Sequence, residues 1–218
     1  MVRILLADDH DIVRHGLRSL LEREEGWEVC REARNGREAV EMAGALVPDI
    51  AILDIAMPEL NGLDATRRIR AAGLPTEVLI FTMHETDELV AEVFAAGARG
   101  YLTKADAARH VVAAVEALAA HQPFFSTRVT ARLLEAFLRD RARSASEDST
   151  AASDSLTARE REVMQLLAEG QRNKDIARRL GVSVKTVETH RAAVMRKVGA
   201  GSIADVVRYA VRNRIVSA

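Results

Sequence analysis

Val2-Arg3-Ile4-Leu5-Leu6-Ala7-Asp8-Asp9 decides the fold: a short apolar run that stops on two acids. A run this short, rich in branched apolar side chains and lacking polar alternation, reads as a strand buried on both faces. The pattern recurs at residues 27–32, 49–53, 77–82 and 99–102. Between these runs lie amphipathic stretches near 11–23, 35–46, 61–72 and 86–96, with a last one at 106–120. Short strands alternating with helical patterns predict βαβ units and a parallel sheet. Asn61-Gly62, Gly73 with Pro75, and Gly97 supply turn and helix-end chemistry at the joins.

Five such repeats resemble the doubly wound α/β flavodoxin-like fold, a (βα)5 unit expected to occupy residues 1–121. Beyond it the chain changes character. Residues 126–140 carry Val129, Leu133 and Phe137 at four-residue spacing, which predicts an amphipathic helix. No large apolar residue then stands between Leu138 and Leu156, so 122–155 is expected to be a linker containing that helix. Residues 156–218 read as an all-α unit of four helices. Thr157-Ala-Arg-Glu160 is a capping-box signature opening the first of them, which Gly170 ends. The others are expected near 173–180, 183–198 and 202–213.

Composition narrows the function classes. Cys30 is the single cysteine, so neither an intramolecular disulfide nor a multi-cysteine metal site is available. No apolar run has membrane-spanning length, and the N-terminus lacks a secretory pattern, so a cytoplasmic protein without membrane insertion is expected. The net charge of −1 conceals a division: residues 154–218 carry +6 and the preceding 153 carry −7. Such asymmetry suits a polyanion partner for one half, although an uneven surface gives the same count.

What stands at each strand's carboxyl end sets the chemistry. The first run ends at Asp8 and Asp9, the third at Asp54 and the fourth at Thr82, while Lys104 closely follows the fifth. An acid after a strand is, by itself, more often a helix cap or a solvated loop residue. In this fold class, however, the five share one edge of the sheet. Two carboxylates about 5 Å apart repel by roughly 3 kcal/mol at an effective dielectric of about 20. One lysine cannot balance three of them. A divalent cation can, and Mg2+ favours one or two carboxylates together with water and phosphate oxygens. The pocket then suits phosphoryl transfer to a carboxylate, with Asp54 as nucleophile and with Mg2+ and Lys104 facing the charge of the phosphoryl oxygens. Residues 1–121 hold thirteen basic side chains, of which Lys104 alone is a lysine. A compact ammonium there matches joint contact with phosphate and carboxylate.

Asp8-Asp9, Asp54-Ile-Ala-Met-Pro58, Asn61-Gly62, Phe81-Thr82 and Gly100-Tyr-Leu-Thr-Lys104 resemble the receiver domain of bacterial two-component response regulators. The resemblance implies that Asp54 accepts a phosphoryl group from the phosphohistidine of a sensor histidine kinase. It implies that Asp9, Asp54 and the Ala56 carbonyl ligate Mg2+, with Asp8 acting largely through water. It also implies that Thr82 shifts to bond the phosphoryl group while Tyr101 turns inward, although Tyr101 reads equally well as a strand aromatic covering the last helix. A proline often follows the lysine of receivers in a cis bond; Ala105 stands here, and a trans bond is expected.

Residues 173–198 carry helix-turn-helix logic. Ile176, Ala177 and Leu180 give an inner face, Gly181 a turn and Ser183 an N-cap, and Val187, His190 and Val194 recur at inward spacing. Lys174, Lys185, Arg191, Arg196 and Lys197 are candidates for DNA phosphate, and Glu188, Thr189 and Ala192 for base edges, with Thr186 beside them. Exposed basic residues on a helix are, taken singly, usually just solvated. Leu156-Thr-Ala-Arg-Glu-Arg-Glu-Val163, Ala168-Glu-Gly170, Asn173-Lys-Asp-Ile-Ala177 and Lys185-Thr-Val-Glu-Thr-His190 resemble the LuxR-type DNA-binding domain. With the receiver they place the chain in the NarL/FixJ class. That resemblance implies double-stranded DNA as a partner, a homodimer in the active form, and possible contact with RNA polymerase. Ile203, Val206, Val207 and Ala210 have the spacing of a pairing stripe, or equally of one packed within the domain.

The competing readings each run against the residues. A haloacid-dehalogenase-like phosphotransferase wants a second Asp two residues after the nucleophile, where Ala56 stands, and there is no glycine-rich Walker loop. A LuxR-type sensor of a diffusible ligand needs an apolar N-terminal pocket, not an acid cluster. A receiver switched without phosphorylation would not need all five site residues. The expectation is a regulator, not an enzyme, whose only catalysis is its own phosphorylation and dephosphorylation.

Overall fold

The computed structural model describes residues 1–83, 86–125, 156–213 and 215–216. They form two compact units. The expected helix at 126–140 and the linker that follows it to residue 155 lie outside the described residues.

The first unit runs β1 (Val2–Ala7), α1 (Asp11–Leu21), β2 (Trp27–Ala33), α2 (Gly36–Leu46), β3 (Ile50–Leu53), α3 (Gly62–Ala71), β4 (Glu77–Thr82), α4 (Asp87–Ala95), β5 (Gly100–Thr103) and α5 (Ala107–Ala119). All pairings are parallel, in the order β2-β1-β3-β4-β5. The unbroken apolar runs are explained by burial on both sides. Ile4, Leu6, Ile50, Ile52, Leu79, Phe81 and Leu102 pack with Leu17 and Leu21 of α1 and Val111, Val115 and Leu118 of α5. The alternate positions Leu5, Ala51, Leu53, Val78, Ile80 and Tyr101 are equally buried, so the opposite face is covered too. Each such side chain contributes roughly 1.5–3 kcal/mol on removal from water.

The helix starts follow local chemistry. Asn35 caps α2 by accepting from the Glu38 N–H at 2.8 Å, and Asn61 caps α3 by accepting from the Asp64 N–H at 2.9 Å. The expected spans differ from the observed ones by no more than two residues, because the expected ranges included the caps. The unit's contacts also run past residue 121, since the Tyr101 N–H donates to the Phe124 carbonyl at 3.0 Å and lays that residue along the edge of β5.

The second unit consists of α6 (Ala158–Ala168), α7 (Asn173–Leu180), α8 (Val184–Lys197) and α9 (Ile203–Arg212). The expected capping box is formed: the Thr157 hydroxyl accepts from the Glu160 N–H at 3.2 Å, and the Glu160 carboxylate from the Thr157 N–H at 2.7 Å. Gly181, at φ +64°, makes the left-handed turn between α7 and α8, where a side chain would be strained. Two clusters fill the interior. Val163, Leu166, Leu167, Ile176, Ala177 and Val187 form one, and Met164, Val194 and Val206 the other. Among the described residues no helix is long and apolar enough to cross a membrane.

Candidate functional site

The order β2-β1-β3 places the topological reversal between β1 and β3, and open α/β sheets hold their ligands beyond the strand ends at that point. Asp8 and Asp9 follow β1, and Asp54 follows β3, held there by its N–H on the Ala7 carbonyl at 2.8 Å. Lys104 opens a single 3-10 turn, Lys104–Asp106, directly after β5. Its ammonium lies 2.6 Å from Asp8 Oδ2 and 2.8 Å from Asp54 Oδ2, and 5.9 Å from the centre of the Phe81 ring. No peptide bond of the described residues is cis, so the Lys104–Ala105 bond is trans as expected. The hydroxyl of Thr103 donates to Asp106 Oδ2 at 2.7 Å, closing the turn behind the lysine.

The remaining Asp54 oxygen, Oδ1, accepts the Ile55 N–H at 2.7 Å. The loop that follows is tied by the Ile55 carbonyl, which accepts from both Met57 and Gly62, and Ala56 sits half-buried within it. Gly62 is needed for close approach, not for a turn: a Cβ there would overlap the Asp54 carbonyl oxygen. Behind Asp8, the buried Arg14 donates to the Asp8 carbonyl at 2.6 Å and pairs with Glu32 and Asp11. A guanidinium from α1 thus holds the acid loop from below.

Burial pushes the Asp54 carboxyl above the usual carboxylate range; Lys104 opposes that shift by charge and hydrogen bond, and Asp8 adds to it. Burial also works against the Lys104 ammonium, yet Asp54 and Asp8 outweigh it and hold that group above its ordinary range. The pocket therefore binds its one cation tightly and remains short of positive charge. Ligand atoms of Asp8, Asp9, His10 and Asp54 all lie within 4.8 Å of one another. Carboxylates carrying unbalanced negative charge are the donor set of a hard divalent ion, so these residues fit one.

Of the five expected residues, the structure brings Asp8, Asp9, Asp54 and Lys104 together. Thr82 ends β4 as a buried side chain, in register with Thr103 of β5. Tyr101 is buried on β5, beside a cavity of about 340 Å3 lined by Thr103, Asp106, His110, Phe124 and Phe125. Sequence reading missed His10. Its one signal was adjacency to the two acids, and adjacency does not say where a ring turns.

In the second unit, Lys174, Lys185, Glu188, Thr189, Ala192 and Arg196 are exposed, the last five along one side of α8. Thr186 is half-buried at the Ser183 cap, where its N–H donates to the serine hydroxyl at 3.0 Å. Arg191 is half-buried and reaches the Asn173 side chain at 3.5 Å. A cleft of about 490 Å3 lies beside it, lined also by Arg172, Lys174 and Val184. Arg172 had not been singled out, because it precedes α7 and so falls outside a helix-face count.

One expectation needs correction. Lys197 is turned inward, its ammonium 2.8 Å from Glu160 Oε2, so it anchors the end of α8 to the capping box. It sits three residues after Val194, on the buried stripe of α8. Of the α9 stripe that was open to either reading, Val206 and Ala210 are fully buried and Ile203 packs partly on the interior. Val207 remains half-buried.

Comparison with known proteins agrees with this construction. Residues 4–116 match the family described as response regulator receiver domain, and residues 154–210 match the bacterial regulatory proteins of the luxR family. The chain is 34% identical over 217 residues to the transcriptional regulatory protein LiaR of Bacillus subtilis, covering 100% of both chains. It is 34% identical over 219 residues to the oxygen regulatory protein NreC of Staphylococcus epidermidis, covering 99% of each. A solved structure of the Salmonella typhimurium RcsB response regulator superimposes with a TM-score of 0.63 at 25% identity, over 95% of this chain and 96% of that one. A parallel α/β unit with its acids at the β1/β3 reversal, followed by a four-helix unit with a helix-turn-helix, carries both families' matches in the right order, and the chain belongs to the LuxR-family two-component response regulators, which are DNA-binding transcription regulators.

Proposed function

We propose that the protein is a cytoplasmic transcriptional response regulator switched by Mg2+-dependent phosphorylation of Asp54 by a sensor histidine kinase. The observation that carries this reading is the meeting of Asp8, Asp9, Asp54 and Lys104 at the β1/β3 reversal. Asp9, Asp54 and the Ala56 carbonyl would hold Mg2+, with Asp8 acting mainly through water. When bound, the ion supplies charge neutralisation for the incoming phosphoryl oxygens.

The residues of the chain do the rest. A carboxylate oxygen of Asp54 attacks phosphorus as the bond to the donor's imidazole nitrogen breaks, and the electron pair leaves with that ring. Lys104 moves from sharing Asp8 and Asp54 to meeting the new phosphoryl oxygens. Thr82 shifts to donate its hydroxyl to the phosphoryl group, and Tyr101 follows the space it leaves. The surface of α4, β5 and α5 changes with them. This and the later attack of water on the aspartyl phosphate, which releases inorganic phosphate and restores the carboxylate, are the receiver's only catalysis.

In the DNA-binding unit, Lys174, Lys185, Arg191 and Arg196 meet phosphates, while Glu188, Thr189 and Ala192 face base edges, with Thr186 at the rim. The active form is a homodimer on double-stranded DNA, with half-sites about one helical turn apart, and contact with RNA polymerase is open to it. We assign residues 1–121 to the receiver, 122–155 to the linker and 156–218 to the DNA-binding domain.

Incubation with Mg2+ and a small phosphodonor tests the core of this. Wild type should gain the mass of one phosphoryl group, pair, and bind DNA more tightly, and Asp54→Asn should do none of these. A mass gain without any change in assembly or DNA binding would keep the phosphoacceptor and remove the switch.

A further inference from the structure

The N-cap of a helix is ordinarily Ser, Thr, Asp or Asn, whose side-chain oxygen accepts a free backbone N–H and contributes about 1 kcal/mol. α1 instead starts behind His10, whose side chain makes no cap hydrogen bond. The ring turns back over the acid pocket. Its Nδ1 lies 2.7 Å from Asp9 Oδ1 and 3.2 Å from Asp8 Oδ1, and the His10 N–H donates to Asp8 Oδ1 at 2.9 Å, which fixes the main chain in place. Burial does not drive the ring there, since its side chain remains 67% exposed. His10 and Lys104 also divide Asp8 between them: the lysine takes Oδ2, and the histidine stands at Oδ1.

We propose that His10 supplies a nitrogen donor to the divalent cation of the Asp8, Asp9 and Asp54 pocket, giving that pocket a preference for first-row transition cations such as Mn2+ over Mg2+. The inference rests on the metal-site reading above and adds a ligand to it. Ligands of one octahedral ion at about 2.1 Å stand about 3 Å apart when adjacent and about 4.2 Å when opposed. Donor atoms already within 4.8 Å of one another need only a small contraction to share such an ion. Magnesium prefers an all-oxygen shell and keeps its waters, whereas first-row transition ions take imidazole nitrogen more readily, Mn2+ least among them and the later ones more. An exposed imidazole at the mouth of the pocket can exchange with a water ligand at little cost. The carboxylates then bind either ion, and His10 sets the ratio between them.

The test uses the full chain without a histidine tag, titrated at pH 8 with Mn2+ or Mg2+ alone. Wild type should bind Mn2+ with a directly coordinated nitrogen, read as 14N coupling in the electron spin echo of the bound ion. His10→Ala should lose that coupling and bind Mn2+ about tenfold more weakly, with its Mg2+ affinity changed less than about threefold. The side chain's exposure makes the variant tolerable to the fold, and an unchanged thermal melt in EDTA checks this. Mn2+ bound without nitrogen coupling, or with coupling that survives His10→Ala, overturns the role of His10 and leaves the acid pocket standing. Failure of wild type to bind either cation overturns both readings together.

Discussion

Asp54, the proposed nucleophile, is kept at a cost to the fold. Its carboxylate is buried beside a second carboxylate, and one ammonium serves both. Burial raises its folded-state pKa above the ordinary value. An acid of raised pKa binds its proton more tightly when folded, so it favours folding below its unfolded pKa of about 3.9. That advantage fades as pH rises between the unfolded and folded values, and above the folded value the ionised group opposes folding. In EDTA, therefore, Asp54→Asn should melt at a higher temperature than wild type at neutral pH. The difference should shrink as pH falls through the window between the raised value and about 3.9. A difference in melting temperature that stays constant over that window would show that the carboxylate is not strained in the folded state. Added Mg2+ should narrow the gap from the other side, by stabilising wild type in proportion to site occupancy.

At the scale of elements, much of what matters was legible in the sequence, and the exceptions have different causes. The five strands were readable because parallel strands covered on both faces lose their alternation and become plain apolar runs. The site acids were readable because each follows such a run. Gly62 was read as turn chemistry, but it opens α3 with ordinary helical geometry, and its real constraint is the Asp54 carbonyl packed against it. Contact between residues distant along the backbone leaves no local trace. Lys197 shows the opposite case. Val187, Val194 and Lys197 share one stripe of α8, so its inward turn followed from spacing, and its charge drew attention outward instead. The Val206 and Ala210 stripe was read with two outcomes because spacing fixes a buried face without naming what covers it. For Gly62, the missing Cβ makes a sharp expectation. Gly62→Ala should destabilise the receiver by about 1–3 kcal/mol through overpacking, measured by urea denaturation. It should also slow phosphorylation of Asp54 by small phosphodonors, because the Asp54 main chain must move to admit the methyl group. Full stability with normal phosphorylation would mean that the loop yields freely and does not position the nucleophile.

For the whole molecule, the near-zero net charge hides an acidic receiver and a basic DNA-binding region, and DNA responds only to the second. Counterion release makes the number of phosphate contacts measurable, since the logarithm of the binding constant falls with the logarithm of salt concentration by about 0.9 for each neutralised phosphate. Lys174, Lys185, Arg191 and Arg196 supply four candidate contacts per copy, so one copy should give a slope of about −3.5 and a pair about −7. Phosphorylation that pairs the chain on two half-sites should thus double the slope, whereas phosphorylation that merely frees a single copy should raise affinity at constant slope. Two substitutions tie the measurement to the structure. Lys185→Ala removes an exposed ammonium on α8 and should lower the slope by about 1 per copy. Lys197→Ala removes an ammonium paired with Glu160, so it should leave the slope unchanged while destabilising the domain by about 1–3 kcal/mol, the worth of a hydrogen bond to a charged group. If Lys197→Ala lowered the slope as much as Lys185→Ala, the inward pairing would have to open on DNA, and α8 would meet the groove along its buried stripe as well as its exposed one.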